Sequence, residues 1–206
     1  LSGRKRMLVA GQFEFTGGTV EVQPFVIGDM ISDMGGVLAM SWSQTVRLYP
    51  QAIDAFAKMN DVDAPTSAEL TLLQQMPEDD VKHAFAAIIG EPFVPKDWGG
   101  EKSDLSTSRL SVDGKPLSAA FIFKGPAVKG PMHPANMGKR GDQLPRAYDE
   151  PVDVIVVQHC DQIANSVVRL AEALAFDVRN PRRYCIIDGA DTARILKAYG
   201  RLKAAT

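Results

Sequence analysis

The sequence predicts an α/β protein, a mixed sheet with helices on its faces, preceded by a smaller β-containing segment. Three observations carry that expectation. Residues 152–158 (VDVIVVQ) are an almost unbroken apolar run, as a strand buried on both faces requires. Asp113-Gly114 separates two strand-like segments and is a strong short-range hairpin signal. Amphipathic stretches of helical period precede that hairpin and follow residues 152–158.

Taken in order, residues 7–15 and 19–27 read as two strands around Gly17-Gly18, because Phe13, Phe15, Val20 and Val22 alternate with polar residues. Residues 28–36 are turn-rich, 42–48 suit another strand, and 50–59 a short helix presenting Ile53, Phe56 and Ala57. The polar stretch 60–67 reads as a linker, which divides the chain into an appendage over 1–66 and an α/β core over 67–206. A helix is expected from Ser67 to about Met76. Pro77 opens the next, with Glu78, Asp79 and Asp80 in its first turn, and Gly90 ends it. Strands are expected to Val112 and over 117–123, followed by a long basic loop broken by Gly130, Pro131, Pro134, Gly138, Gly141 and Pro145. After strand 152–158 come a helix over 161–176, a strand over 184–187 and a last helix over 191–204.

Composition narrows the function classes. With 45% hydrophobic and 23% charged residues among 206, the chain is neither disordered, collagen-like nor a coiled coil. No apolar run approaches the roughly 18 residues of a membrane-spanning helix, and no membrane partner is expected. Cys160 and Cys185 have no zinc spacing and read as reduced, buried thiols of a cytoplasmic protein. No signal peptide is visible, and the opening Leu1-Ser2-Gly3 suggests a processed start. The net charge of −2 is unevenly spread: residues 1–95 hold six basic against twelve acidic side chains, residues 96–146 nine against five. A basic centre in an acidic chain is a candidate footprint for a phosphate-bearing partner.

The chemistry concentrates on the hairpin. A two-residue turn at Asp113-Gly114 sets Asp104 opposite Phe123 and Lys124 opposite Ser103, whereas a three-residue turn sets Asp104 opposite Lys124. Either way an acid and a lysine meet at the hairpin's open end. A structural ion pair is one reason for such a pair. Metal-dependent phosphodiester cleavage is another, with Asp holding Mg²⁺ and Lys stabilising charge on the phosphate.

The stretch 99–105 (GGEKSDL) followed by 121–125 (FIFKG), then a buried strand and a helix, resembles the core of the PD-(D/E)XK, or restriction-endonuclease-like, nucleases over residues 67–200. The resemblance implies a restriction-endonuclease-like mixed sheet flanked by helices, and a Mg²⁺- or Mn²⁺-dependent nuclease. Asp104 falls on the family's metal-binding acid, Lys124 on its lysine, and Gln158 on the glutamine many members carry near the metal, where it would orient water or metal. One departure stands out: Ile122 occupies the place two residues before the lysine where the family has an acid. Glu101, three residues before Asp104, is the expected replacement ligand, with Glu69 or Glu91 as alternatives. Lys129, Lys139, Arg140 and Arg146 are the expected nucleic-acid contacts, because glycine beside basic residues lets backbone N–H groups approach a phosphate. The expected partner is nucleic acid, DNA in preference to RNA, with a homo-oligomer or partner subunit allowed. The rival expectation is a non-catalytic nucleic-acid-binding or assembly subunit of the same fold, which Ile122 permits.

Overall fold

Alternation along the central strands decides the architecture. In the strand Lys115–Lys124 (β5), Ala119, Phe121 and Phe123 point into one apolar layer while Ala120 and Ile122 point into the other. The strand Val154–His159 (β6) divides the same way, with Val154 and Val156 on one side and Ile155 and Val157 on the other. All six residues of β6 are buried, as its apolar run requires. The computed structural model describes residues 8–28, 46–96, 102–177 and 180–203.

Among the described residues the main sheet has five strands. Leu105–Val112 (β4) pairs antiparallel with β5, β5 runs parallel to β6, and β6 runs parallel to Arg183–Ile187 (β7). The two-residue strand Arg47–Leu48 (β3) completes the order β3-β7-β6-β5-β4. A separate two-stranded antiparallel sheet is formed by Leu8–Thr16 (β1) and Thr19–Gly28 (β2), joined through positive φ at Gly17 and Gly18.

Helices cover both faces. Ser67–Leu73 (α1), Glu78–Ile89 (α2) and Gly189–Ala198 (α5), together with the 3₁₀ turns Pro50–Ala52 and Asp54–Asp61, pack on the face of Phe121 and Phe123. Gln143–Tyr148 (α3) and Asn165–Ala175 (α4) pack on the face of Ile122. Phe85 of α2 is the hub of the first layer. Its ring meets Phe56 and Phe123 edge-on at 5.5 Å each, and Phe121 at 6.4 Å.

Three expectations change. Residues 46–61, grouped by sequence with an appendage, build into the core: β3 extends the main sheet, and Ile53, Phe56 and Met59 are buried against it. The expected helix over 50–59 forms as 3₁₀ turns, and Asp54 receives the N–H groups of Asp113 and Gly114, which anchors the β4–β5 turn. The long basic loop contains α3, because Pro145 falls in a first turn where its missing N–H costs nothing, and Leu144 and Ala147 gain a buried face. Met132 and Met137 anchor the rest of that loop in the same layer. The expected strand over 42–48 and the turn over 28–36 lie largely outside the described residues.

Both cysteines are free and buried. Burial pushes the Cys160 thiol up to about 11 and the Cys185 thiol higher still. A thiol reagent at neutral pH should therefore leave the native protein unmodified and titrate both cysteines after denaturation, counted by intact mass. Replacing Phe85 by Ala removes the ring on which three others converge. It should cost about 3–5 kcal/mol of stability, read from chemical denaturation.

Candidate active site

A bulge in β4 sets the register at the site. Next to the turn, Val112 pairs with Lys115 and Leu110 with Leu117, as a two-residue turn dictates. Beyond the bulge the pairing moves by one, so Thr107 pairs with Ala119 and Leu105 with Phe121. The Thr107 hydroxyl supports the bulge by accepting the Arg109 N–H at 3.1 Å while donating to Glu91 at 2.9 Å. The ladder ends at the pairing of Leu105 with Phe121, and just before it the Asp104 N–H donates to Phe121 O at 2.8 Å. The two-residue register holds from the turn to Leu110, and beyond the bulge neither sequence-based register does.

Asp104 and Lys124 come together at the carboxyl ends of the parallel strands. The Asp104 carboxylate is buried. Its Oδ2 accepts the Phe123 N–H at 2.7 Å, and its Oδ1 accepts from Gln143 Nε2 on α3 at 2.9 Å. Lys124 Nζ lies 3.9 Å from Asp104 Oδ2 and 3.9 Å from Glu78 Oε1, and donates to its own strand at Phe123 O, 2.8 Å away. Asp104 and Glu78 thus meet at a single ammonium.

Glu78 was visible in the sequence only as an acid in a helix first turn. Its placement depends on Gly125, whose N–H donates to Glu78 Oε2 at 2.7 Å. A Cβ on Gly125 would come within 2.7 Å of the Glu78 Cβ and 3.0 Å of its backbone. Only glycine lets the end of β5 and the start of α2 approach this closely. The local signal for this approach is the glycine of the Lys124-Gly125 dipeptide.

His159, paired with Lys124 across β5–β6, ties the site to the loop behind it. Nδ1 lies 2.9 Å from Lys124 O and Nε2 3.0 Å from Gly130 O, and the ring is fully buried. On the other side, Ser103 donates to Glu150 and Lys102 reaches Asp149 O, so the segment entering β4 is held by the end of α3.

No family model, curated protein or solved structure matches this chain.

The remaining sequence candidates are distributed as follows. Glu101 lies outside the described residues. Gln158 shares a face with Val154 and Val156, and donates from Nε2 to Thr192 Oγ1 of α5 at 3.1 Å, so the strand's alternation turns it away from Asp104. Glu91 is taken by Thr107, with Arg109 3.9 Å away. Glu69 completes a capping box with Thr66 and pairs with Lys197 at 2.8 Å. Lys129, Lys139 and Arg140 are exposed, while Arg146 is half-buried and lies 3.4 Å from Asp142.

Among the described residues no three His, Cys, Asp or Glu side chains converge on a metal position. The donors that do meet, the carboxylates of Asp104 and Glu78, are the hard oxygen type that suits Mg²⁺, which commonly takes one or two carboxylates and fills its shell with water.

The Lys197 hydrogen bond, then the Thr66 N–H, hold the Glu69 carboxyl down to about 2 from an ordinary value near 4.5. A carboxylate depressed by folding stabilises fully above its unfolded value and loses that contribution as pH falls through the folded one. Glu69→Gln should therefore lower the unfolding temperature at pH 7, and the gap from the native chain should close as the pH approaches 2. A gap independent of pH would remove the charge from this account.

Proposed function

We propose that this protein is a Mg²⁺- or Mn²⁺-dependent nuclease that hydrolyses phosphodiester bonds in nucleic acid, DNA in preference to RNA, on a restriction-endonuclease-like core. The observation that carries this reading is Lys124 Nζ at 3.9 Å from both Asp104 and Glu78. An ion pair that served stability alone would need one acid. Two acids on one lysine, at the strand ends where open α/β sheets place their ligands, suit a phosphate and its cation better.

Asp104 and Glu78 would hold the metal, with Glu101 a further oxygen donor. When bound, the ion supplies charge neutralisation at the phosphate and a water of lowered pKa. Lys124 stabilises the negative charge that grows on the phosphoryl oxygens as the water attacks. Its contact with Phe123 O fixes the ammonium on the strand end, so little reorganisation accompanies that growth. The Phe123 N–H and Gln143 Nε2 keep the Asp104 carboxylate in one orientation. Lys129, Lys139, Arg140 and Arg146 would contact the phosphate backbone, and Gln158 would brace β6 against α5 behind the site.

One observation favours a second reading. Ile122 is wholly enclosed in the apolar layer with Ala120, Ile155 and Val157, a place in which no acid could ionise without a partner. A chain that binds nucleic acid without cutting it would keep the basic loop and dispense with the metal.

Three variants test the proposal. Asp104→Asn should abolish Mg²⁺-dependent cleavage of plasmid and single-stranded substrates while leaving binding largely intact. Lys124→Ala should lower the cleavage rate about 10²–10³-fold, since it removes stabilisation that is greatest in the transition state. Lys139→Ala with Arg140→Ala should weaken binding and flatten its dependence on salt, because each lost phosphate contact lowers the slope. A wild type that binds DNA or RNA yet cuts neither with any divalent ion supports the second reading.

A further inference from the structure

Ile122 leaves the site short of an oxygen donor where a nuclease of this type would have one, and α3 brings an unaccounted oxygen to the same carboxylate. Gln143, the first residue of α3, is only 5% exposed. Its Nε2 donates to Asp104 Oδ1 at 2.9 Å, which fixes the amide: turned about, its carbonyl would face a carboxylate. Oε1 is then left buried, accepting a hydrogen bond from none of the described residues. An orphaned carbonyl oxygen is costly to keep, and supporting Asp104 does not require one. A serine hydroxyl or a backbone N–H could donate to Oδ1 without it.

We propose that Gln143 Oε1 is an oxygen donor to the divalent cation of this site, supplying from α3 the ligand that Ile122 cannot. The inference rests on the metal-dependent reading above. Amide carbonyls are ordinary ligands for hard cations, and a neutral one suits this position. Gln143 touches Asp104 directly, so a carboxylate there would face like-charge repulsion in the metal-free protein, with Glu78 adding to the local negative charge. The amide instead offers its N–H to Asp104 and its oxygen to the ion.

The test is Mn²⁺ binding to the full chain, followed by electron paramagnetic resonance of the unbound ion, with metal-free unfolding temperature and nuclease assays run in parallel. Gln143→Met fills the volume with no oxygen and should weaken Mn²⁺ binding by about 10- to 100-fold. Gln143→Glu restores an oxygen but removes the donor to Asp104, so the two roles diverge. If the oxygen is a ligand, Glu binds Mn²⁺ at least as tightly as Gln. If Gln143 only orients Asp104, Glu loses affinity as Met does, and the proposal falls. Gln143→Leu stands in for Met should Met fail to fold, with the same expected loss. The proposal also falls if wild type binds no Mn²⁺, or if Met binds it as tightly as wild type. A wild type that cuts DNA while Met retains wild-type Mn²⁺ affinity overturns this inference and keeps the nuclease reading. A wild type that binds Mn²⁺ through Gln143 but cuts no nucleic acid keeps this inference and overturns that one.

Discussion

The buried carboxylate of Asp104 is the constraint around which the open end of the sheet is organised. A carboxylate that is only 5% exposed must be met by donors, and here they come from separate parts of the chain. The Phe123 N–H belongs to the neighbouring strand, Gln143 to a helix on one face, and the Lys124 ammonium ties in Glu78 at the start of a helix on the other. Asp104 therefore joins both helical layers to the β4–β5 hairpin at one point. Truncating its side chain would leave the lysine with Glu78 and take from the Gln143 amide the acceptor it now has.

That arrangement depends on a single extra residue in β4. Without the bulge, a two-residue turn would set Asp104 opposite Phe123, and a one-residue change of register turns a side chain to the other face of a sheet. There it would meet Phe85 and Phe121 in the aromatic layer. With the bulge it meets Gln143 of α3 and the Lys124 ammonium. The bulge is in turn supported on both strands: Thr107 satisfies the Arg109 N–H, and Asp153 receives the N–H and hydroxyl of Ser118 on the opposing strand. Polar residues several positions from the site thus determine which face its acid occupies.

Much of this fold is legible in the sequence because its signals are local. The Asp113-Gly114 turn, the apolar run of β6, the acids opening α2 and Gly90 closing it each act within a few residues, and each element forms where its signal lies. The rest is decided by contacts distant in sequence. Thr107 and Ser108-Arg109 carry no bulge signal by themselves. Pro145 looks like a breaker until the apolar layer that receives Leu144 and Ala147 is present. Glu78 reads as a helix-start acid because its partners, Lys124 and Gly125, lie more than forty residues away in the chain. Gln158 had the right residue type at a plausible place, yet period-two alternation assigns it to Thr192.

The charge balance of the site also explains why a hydrophobe is tolerated at position 122. Asp104 and Glu78 already place two negative charges against the single positive charge of Lys124. A third carboxylate two residues before the lysine would lie in the layer occupied by Ala120, Val157 and Ile155, with no donor among those side chains. Such a group would stay protonated or disrupt the packing. Ile122 keeps that layer apolar and leaves the polar work to residues at its rim. There the bulge delivers Asp104, glycine admits Glu78, and α3 presents the Gln143 amide to Asp104. The sheet interior and the candidate site can then be optimised separately, because no residue is required to satisfy both.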